Sequence, residues 1–132
     1  DKIIDEIGIE YKSMGYIHDK SLLNAVYSAG DFFLATSIQD AWPKTFAEAM
    51  YCGTPVICFN STSISEIVDH KKNGFVVDIL NSDALIDGID WVSKELKKND
   101  LIKKDAIKKI SNYDPKFIAN NYIKLYKKIS DE

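Results

Sequence analysis

A chain of 132 residues, 45% hydrophobic and 28% charged, has the size and composition of one folded domain, which excludes a disordered chain and a multidomain reading. Its 17 basic and 20 acidic side chains leave a net charge of -3, so there is no general electrostatic footprint for nucleic acid and no such partner is expected. Every basic residue is lysine, so phosphate recognition rests on ammonium groups or backbone N–H groups rather than on the planar guanidinium fork.

No apolar run is long enough to span a bilayer, and the start, Asp1-Lys2-Ile3-Ile4-Asp5-Glu6, lacks the basic and apolar order of a signal peptide. These features predict a cytoplasmic protein. Cys52 and Cys58 lie in apolar surroundings and are too few to staple a secreted scaffold, so they read as reduced core thiols. The alternative, metal ligation by Cys52, Cys58 and His70, matches none of the usual zinc spacings.

In chain order, Ile9 to Ile17 alternate as a short strand closed by Gly15. Asp19 then caps a helix carrying Leu22, Leu23, Val26 and Tyr27. Gly30-Asp31 punctuates, and Phe32 to Thr36 is a compact apolar run of the kind found in a strand covered on both faces. A polar loop, Ser37 to Trp42, leads to Pro43 at the first position of a helix with Phe46, Ala47, Ala49 and Met50, and Gly53 suits its left-handed stop. Pro55 opens the strand Val56 to Phe59. A Ser/Thr-rich loop, a short helix over Ser65 to His70, the Asn73-Gly74 turn and a strand at Phe75 to Val77 follow.

The remainder, about 82–130, is helical. Leu85, Ile89, Val92 and Leu96 repeat at i, i+4, i+7 and i+11 after an Asn81 or Ser82 cap, and Ile118, Tyr122, Leu125 and Ile129 repeat identically after Asp114-Pro115. Strands alternating with helices predict an α/β fold, a Rossmann-like parallel sheet with flanking helices. About four strands are legible, fewer than a full doubly wound sheet, so the domain is expected to be part of a larger one.

In such a sheet ligands bind beyond the carboxyl ends of the strands, where loops enter helix N-termini. The loop after Phe32 to Thr36 carries Asp40, and the following helix carries Glu48 eight positions on. If that helix starts near Pro43, the N–H groups of Lys44 and Thr45 are free and favour a phosphate. A carboxylate at Glu48 can accept two hydrogen bonds from a vicinal diol such as a ribose, and Asp40 can accept from further hydroxyls. The plainer alternative leaves Glu48 as a solvent-facing helix residue and Asp40 as a loop cap.

The stretch from Asp40 through Glu48 and Ala-Met-Tyr-Cys-Gly-Thr-Pro to Val56-Ile57 resembles the signature of family 4 glycosyltransferases (glycosyl transferases group 1), two acids separated by seven residues leading into an E-A-M-x-C-G-T-P-V run. Gly15-Tyr16-Ile17, Ser28 to Asp31, Glu66-Ile67-Val68, Asn73-Gly74-Phe75 and Asn121-Tyr122…Leu125-Tyr126 extend the resemblance over nearly the whole chain. It implies a GT-B fold of two Rossmann-like domains, with residues 1–132 a single, N-terminally incomplete nucleotide-sugar-binding domain, the truncated C-terminal half. It also implies a retaining enzyme of bacterial polysaccharide or glycolipid assembly. Such an enzyme moves a sugar from a nucleoside-diphosphate sugar to a glycan or lipid-linked acceptor that the N-terminal domain holds.

Carried over residue by residue, Glu48 would hold the ribose and Asp40, as the catalytic residue, would contact the donor sugar. Ser37 and the backbone of Ala41, Trp42, Pro43, Lys44 and Thr45 would meet sugar and diphosphate, while Tyr16, Ile17 and Asp19 would border the nucleobase. Three departures stand out: Asp40 replaces the usual Glu, Thr62 and Ser63 replace a pair of glycines before Glu66, and the strands and Arg/Lys pair that usually open the donor domain do not occur in this sequence. No D-x-D motif is present, so neither metal nor cofactor is expected.

Trp42 either walls the sugar or staples the loop onto the core, and His18 and His70 read as surface loop residues. From Trp91 to Ser130, 11 lysines face 4 acids, a solvated face that in the full-length protein could also touch an anionic membrane surface. Two other readings keep the same fold: a non-catalytic α/β nucleotide-binding or interaction module, and a nucleotide-sugar epimerase.

Overall fold

The computed structural model describes residue 6 and residues 8–61 and 64–130. Its elements run α1 (Lys20–Ala29), β1 (Phe33–Ala35), α2 (Lys44–Tyr51), β2 (Val56–Phe59), α3 (Ile64–Ile67), β3 (Gly74–Val77), α4 (Ser82–Lys98), α5 (Leu101–Ser111) and α6 (Pro115–Ser130). The three strands form one sheet in the order β1-β2-β3, and both pairings are parallel. Thr62 and Ser63, the positions that replace the glycine pair, lie outside the described residues.

Side-chain alternation along the central strand builds a core on each face of the sheet. Val56 and Cys58 point into a cluster with Phe46, Ala49 and Met50 of α2, Ile67 of α3, and Ala106 and Ile110 of α5. Ile57 and Phe59 point the other way, with Phe75 and Val77 of β3, Val92 of α4 and Ile102 of α5. The register Ile57↔Phe75 and Phe59↔Val77 places like faces side by side. All four β2 residues are buried, as a strand with helices on both faces requires.

The sequence anticipated much of this placement. Asp19 Oδ1 accepts the Leu22 N–H at 2.7 Å and Asn81 Oδ1 the Ala84 N–H at 3.0 Å, so both caps are as expected. Gly53 takes φ 79° just beyond α2. The helical remainder divides into three, with breaks at Asn99-Asp100 and at 112–114.

Four expectations are corrected. Residues 9–17 alternate in the sequence but form no strand; Ile9 is 60% exposed and Tyr16 83%. Alternation makes a strand only where a neighbour accepts its ladder and one face is covered, and among the described residues nothing pairs with this segment. Among the described residues the sheet accordingly has three strands rather than about four. β1 is an edge strand with Leu34 45% exposed, not a strand covered on both faces. Finally, Pro43 is the N-cap of α2 rather than its first helical residue.

Candidate functional site

The site lies where the loop before α1, the face of α1 turned toward α2 and the first turns of α2 meet. Two hollows of about 430 and 350 Å3 share Tyr16, Ile17, Leu23, Lys44 and Glu48 in their walls. Gly15, with φ 58°, turns the chain at the rim without the steric cost another residue would meet. The Tyr16 ring stands against His18, centroids 4.5 Å apart.

Glu48 is placed by helical spacing. Phe46, Ala47, Ala49 and Met50 are buried, and Glu48 between them is turned toward α1 with its side chain 32% exposed. Its Oε2 accepts the Tyr27 hydroxyl at 3.4 Å, and its Oε1 lies 3.6 Å from Lys44 Nζ. The Lys44 side chain is 80% exposed, so this i,i+4 pair contributes little stability. Tyr27 is pushed above the usual phenol pKa, first by burial and then by the Glu48 charge, and remains a neutral donor.

The N-terminal end of α2 is open in a particular way. Pro43 offers no side-chain cap. The Lys44 N–H is not free as expected: it donates to Trp42 O at 2.8 Å, while Phe46 and Ala47 N–H share Pro43 O. Among the described residues, no acceptor is recorded for the Thr45 N–H, and Thr45 lines the smaller hollow. The positive end of the helix dipole therefore faces the same space as Lys44.

Of the residues singled out in the sequence, Tyr16, Ile17, Lys44, Thr45 and Glu48 come together. Asp19 is occupied as the α1 cap. Ser37, Asp40, Ala41, Trp42 and Pro43 follow β1 but do not line the hollows. Asp40 Oδ1 accepts the Trp42 N–H at 3.0 Å, a local turn of the kind short acids make. Trp42 packs on Tyr113.

Sequence reasoning missed Lys20, Asn24 and Tyr27 as wall residues and took His18 for a surface residue alone. The signal was present: Lys20, Leu23, Asn24 and Tyr27 fall at i, i+3, i+4 and i+7, one face of α1. His70 is likewise more than a loop residue, since its Nδ1 accepts the Val76 N–H at 3.1 Å. Burial, with the Lys71 charge second, lowers its pKa.

A three-stranded parallel sheet with flanking helices, and a hollow between a loop and a helix start, make this an α/β domain with a ligand-sized recess beside a helix N-terminus. The sequence model described as Glycosyl transferases group 1 matches residues 4–109, and the chain belongs to that family. An uncharacterised glycosyltransferase of Methanocaldococcus jannaschii is 26% identical over 125 residues, 92% of this chain and 32% of the relative. The chain thus spans about a third of that relative's length.

Two solved structures share the fold. Sucrose-phosphate synthase from Thermosynechococcus elongatus matches with a TM-score of 0.84 over 98% of this chain and 33% of that one, at 22% identity. An Anabaena protein in complex with UDP-glucose matches with a TM-score of 0.63 over 81% of this chain and 29% of that one, at 24% identity.

Proposed function

We propose that this chain is the donor-binding part of a retaining, family 4 type glycosyltransferase, in which residues 1–132 hold a nucleoside-diphosphate sugar and a further domain holds the glycan or lipid-linked acceptor. The observation that carries the reading is the half-buried Glu48 carboxylate beside a hollow that also receives Tyr16, Ile17, Lys44 and the start of α2. Glu48 accepts from the ribose diol, Tyr16 and Ile17 border the base, and Lys44 with the Thr45 N–H meets the diphosphate. The helix end then stabilises charge developing on the leaving diphosphate, with no metal required.

Asp40 keeps its role toward the donor sugar on the strength of the motif, since it lies outside the hollow. The Anabaena structure supports a nucleotide sugar as the ligand class. Peripheral attachment of the full-length enzyme to an anionic membrane, through the lysines of residues 91–130, belongs to the same reading.

Titration of isotope-labelled protein with UDP, GDP and ADP tests it. One nucleotide should shift resonances around Gly15 and Glu48, and EDTA should leave its affinity unchanged. Glu48→Gln should keep the fold and weaken that nucleotide by about 1.5–3 kcal/mol, roughly tenfold to 150-fold. Binding by none of the three would favour an interaction module. Interconversion of a donor by the full-length protein with no acceptor would favour an epimerase.

A further inference from the structure

Resting on that reading of Glu48, we propose that Tyr27 is a positioning residue that sets the direction of the Glu48 carboxylate and so its selectivity for a ribose diol. The phenol reaches Glu48 from the neighbouring helix, 21 residues away in sequence, and lies 3.4 Å from Oε2.

The Tyr27 ring is fixed from several sides. It meets Phe33 edge-on with centroids 5.8 Å apart, and Phe33 meets Phe46 at 5.8 Å. Its backbone carbonyl accepts the Thr54 hydroxyl at 2.6 Å and the Gly30 N–H at 3.1 Å. Tyr27 is therefore tied both to the start of β1 and to the turn after α2, and its hydroxyl has a defined place. Lys44, the other group near the carboxylate, is a largely exposed chain on the same helix and cannot define a direction equally well.

The chemistry favours a phenol in this role. A carboxylate has about four lone-pair positions; a neutral O–H takes one and leaves the negative charge intact, so two diol hydroxyls can still donate to it. A phenol holds its proton at neutral pH, and burial followed by the Glu48 charge raises the Tyr27 pKa further. At 3.4 Å the bond is long for O–H···O and contributes little energy of its own, so the fixed place of the ring is what sets the direction of the carboxylate. Removing it should let the carboxylate rotate toward Lys44 and lose its fit to two adjacent hydroxyls.

The test compares UDP, GDP and ADP with their 2′,3′-dideoxy counterparts on the wild-type chain, Tyr27→Phe, Glu48→Gln and the double variant. Phe keeps the ring against Phe33, and thermal melting checks that the fold is retained. Wild type should prefer the ribonucleotide by about tenfold or more, and Tyr27→Phe should reduce that preference by about threefold to tenfold with dideoxy binding unchanged. In the Glu48→Gln background, adding Tyr27→Phe should change nothing further.

A Tyr27→Phe variant with undiminished preference, or with both nucleotides weakened equally, would overturn the positioning role while the Glu48→Gln loss left the donor-site reading standing. No preference in the wild type would overturn the donor-site reading itself, and the Tyr27 role with it.

Discussion

The indole of Trp42 packs on the ring of Tyr113 with centroids 4.9 Å apart and planes at 49°, joining the loop after β1 to the turn between α5 and α6. The sequence left Trp42 two roles, wall of a sugar site or staple onto the core, and this contact is the one a staple makes. Trp42→Ala should then cost about 1–2 kcal/mol in urea unfolding, from the lost aromatic pair and buried area. Nucleotide affinity should change less than about threefold, because the turn at Asp40 uses the backbone N–H of residue 42. Unchanged stability with a large loss of affinity would return the ring to the ligand.

Gly74 opens β3 opposite Val56, and a Cβ there would run into the Val56 carbonyl oxygen and lie 2.8 Å from Val68 Cγ1. Backbone on one side and a buried side chain on the other leave little room to yield. Gly74→Ala should destabilise by about 2–3 kcal/mol. Gly53 presents the opposite case: a Cβ there would meet Ile107 at an ordinary 3.5 Å, so only its φ of 79° opposes a side chain. Gly53→Ala should cost about 1 kcal/mol. Chemical denaturation of both variants would rank them, and the reverse order would contradict this account of the β2–β3 contact.

How far the sequence could be read follows from where its information is local. Caps such as Asp19 and Asn81, the stop at Gly53 and the buried run Val56 to Phe59 are set by neighbours a few residues away. They were legible for that reason. The stretch 9–17 was not, because its alternation needs a strand partner that no local pattern supplies. The site divides the same way. Lys44, Thr45 and Glu48 are spaced along one helix and could be inferred, whereas Tyr27 meets Glu48 only through the packing of α1 on α2. The free N–H at Lys44 failed on a detail no spacing rule gives, the turn by which Trp42 O captures it.

Cys58 is fully buried in the sheet, and burial pushes its thiol pKa from 9.0 up to about 12. The folded state therefore keeps this proton while the unfolded chain releases it at lower pH. Stability from this group is intact below about pH 9 and declines as pH rises from there toward 12. At pH 8, iodoacetamide should modify the partly exposed Cys52 first and reach Cys58 only on unfolding. Peptide mapping after timed alkylation checks this, and equal rates at the two thiols would contradict it.

The isolated chain is expected to bind a donor weakly and to transfer no sugar. Its described residues form one α/β lobe, it contains no arginine, and it spans about a third of the Methanocaldococcus relative. Holding donor and acceptor in attack geometry contributes about 7–11 kcal/mol in well-oriented systems, and one lobe cannot supply it. The last helix points the same way. α6 buries none of its residues, and Phe117, Tyr122 and Tyr126 are 49%, 55% and 63% exposed on it. An apolar helix face this open is unusual for a lone soluble domain. A coupled nucleotide-release assay on residues 1–132, run beside the full-length protein with a mixture of acceptors, should show turnover only in the latter. Comparable rates from both would mean that one lobe suffices to bring the reacting groups together.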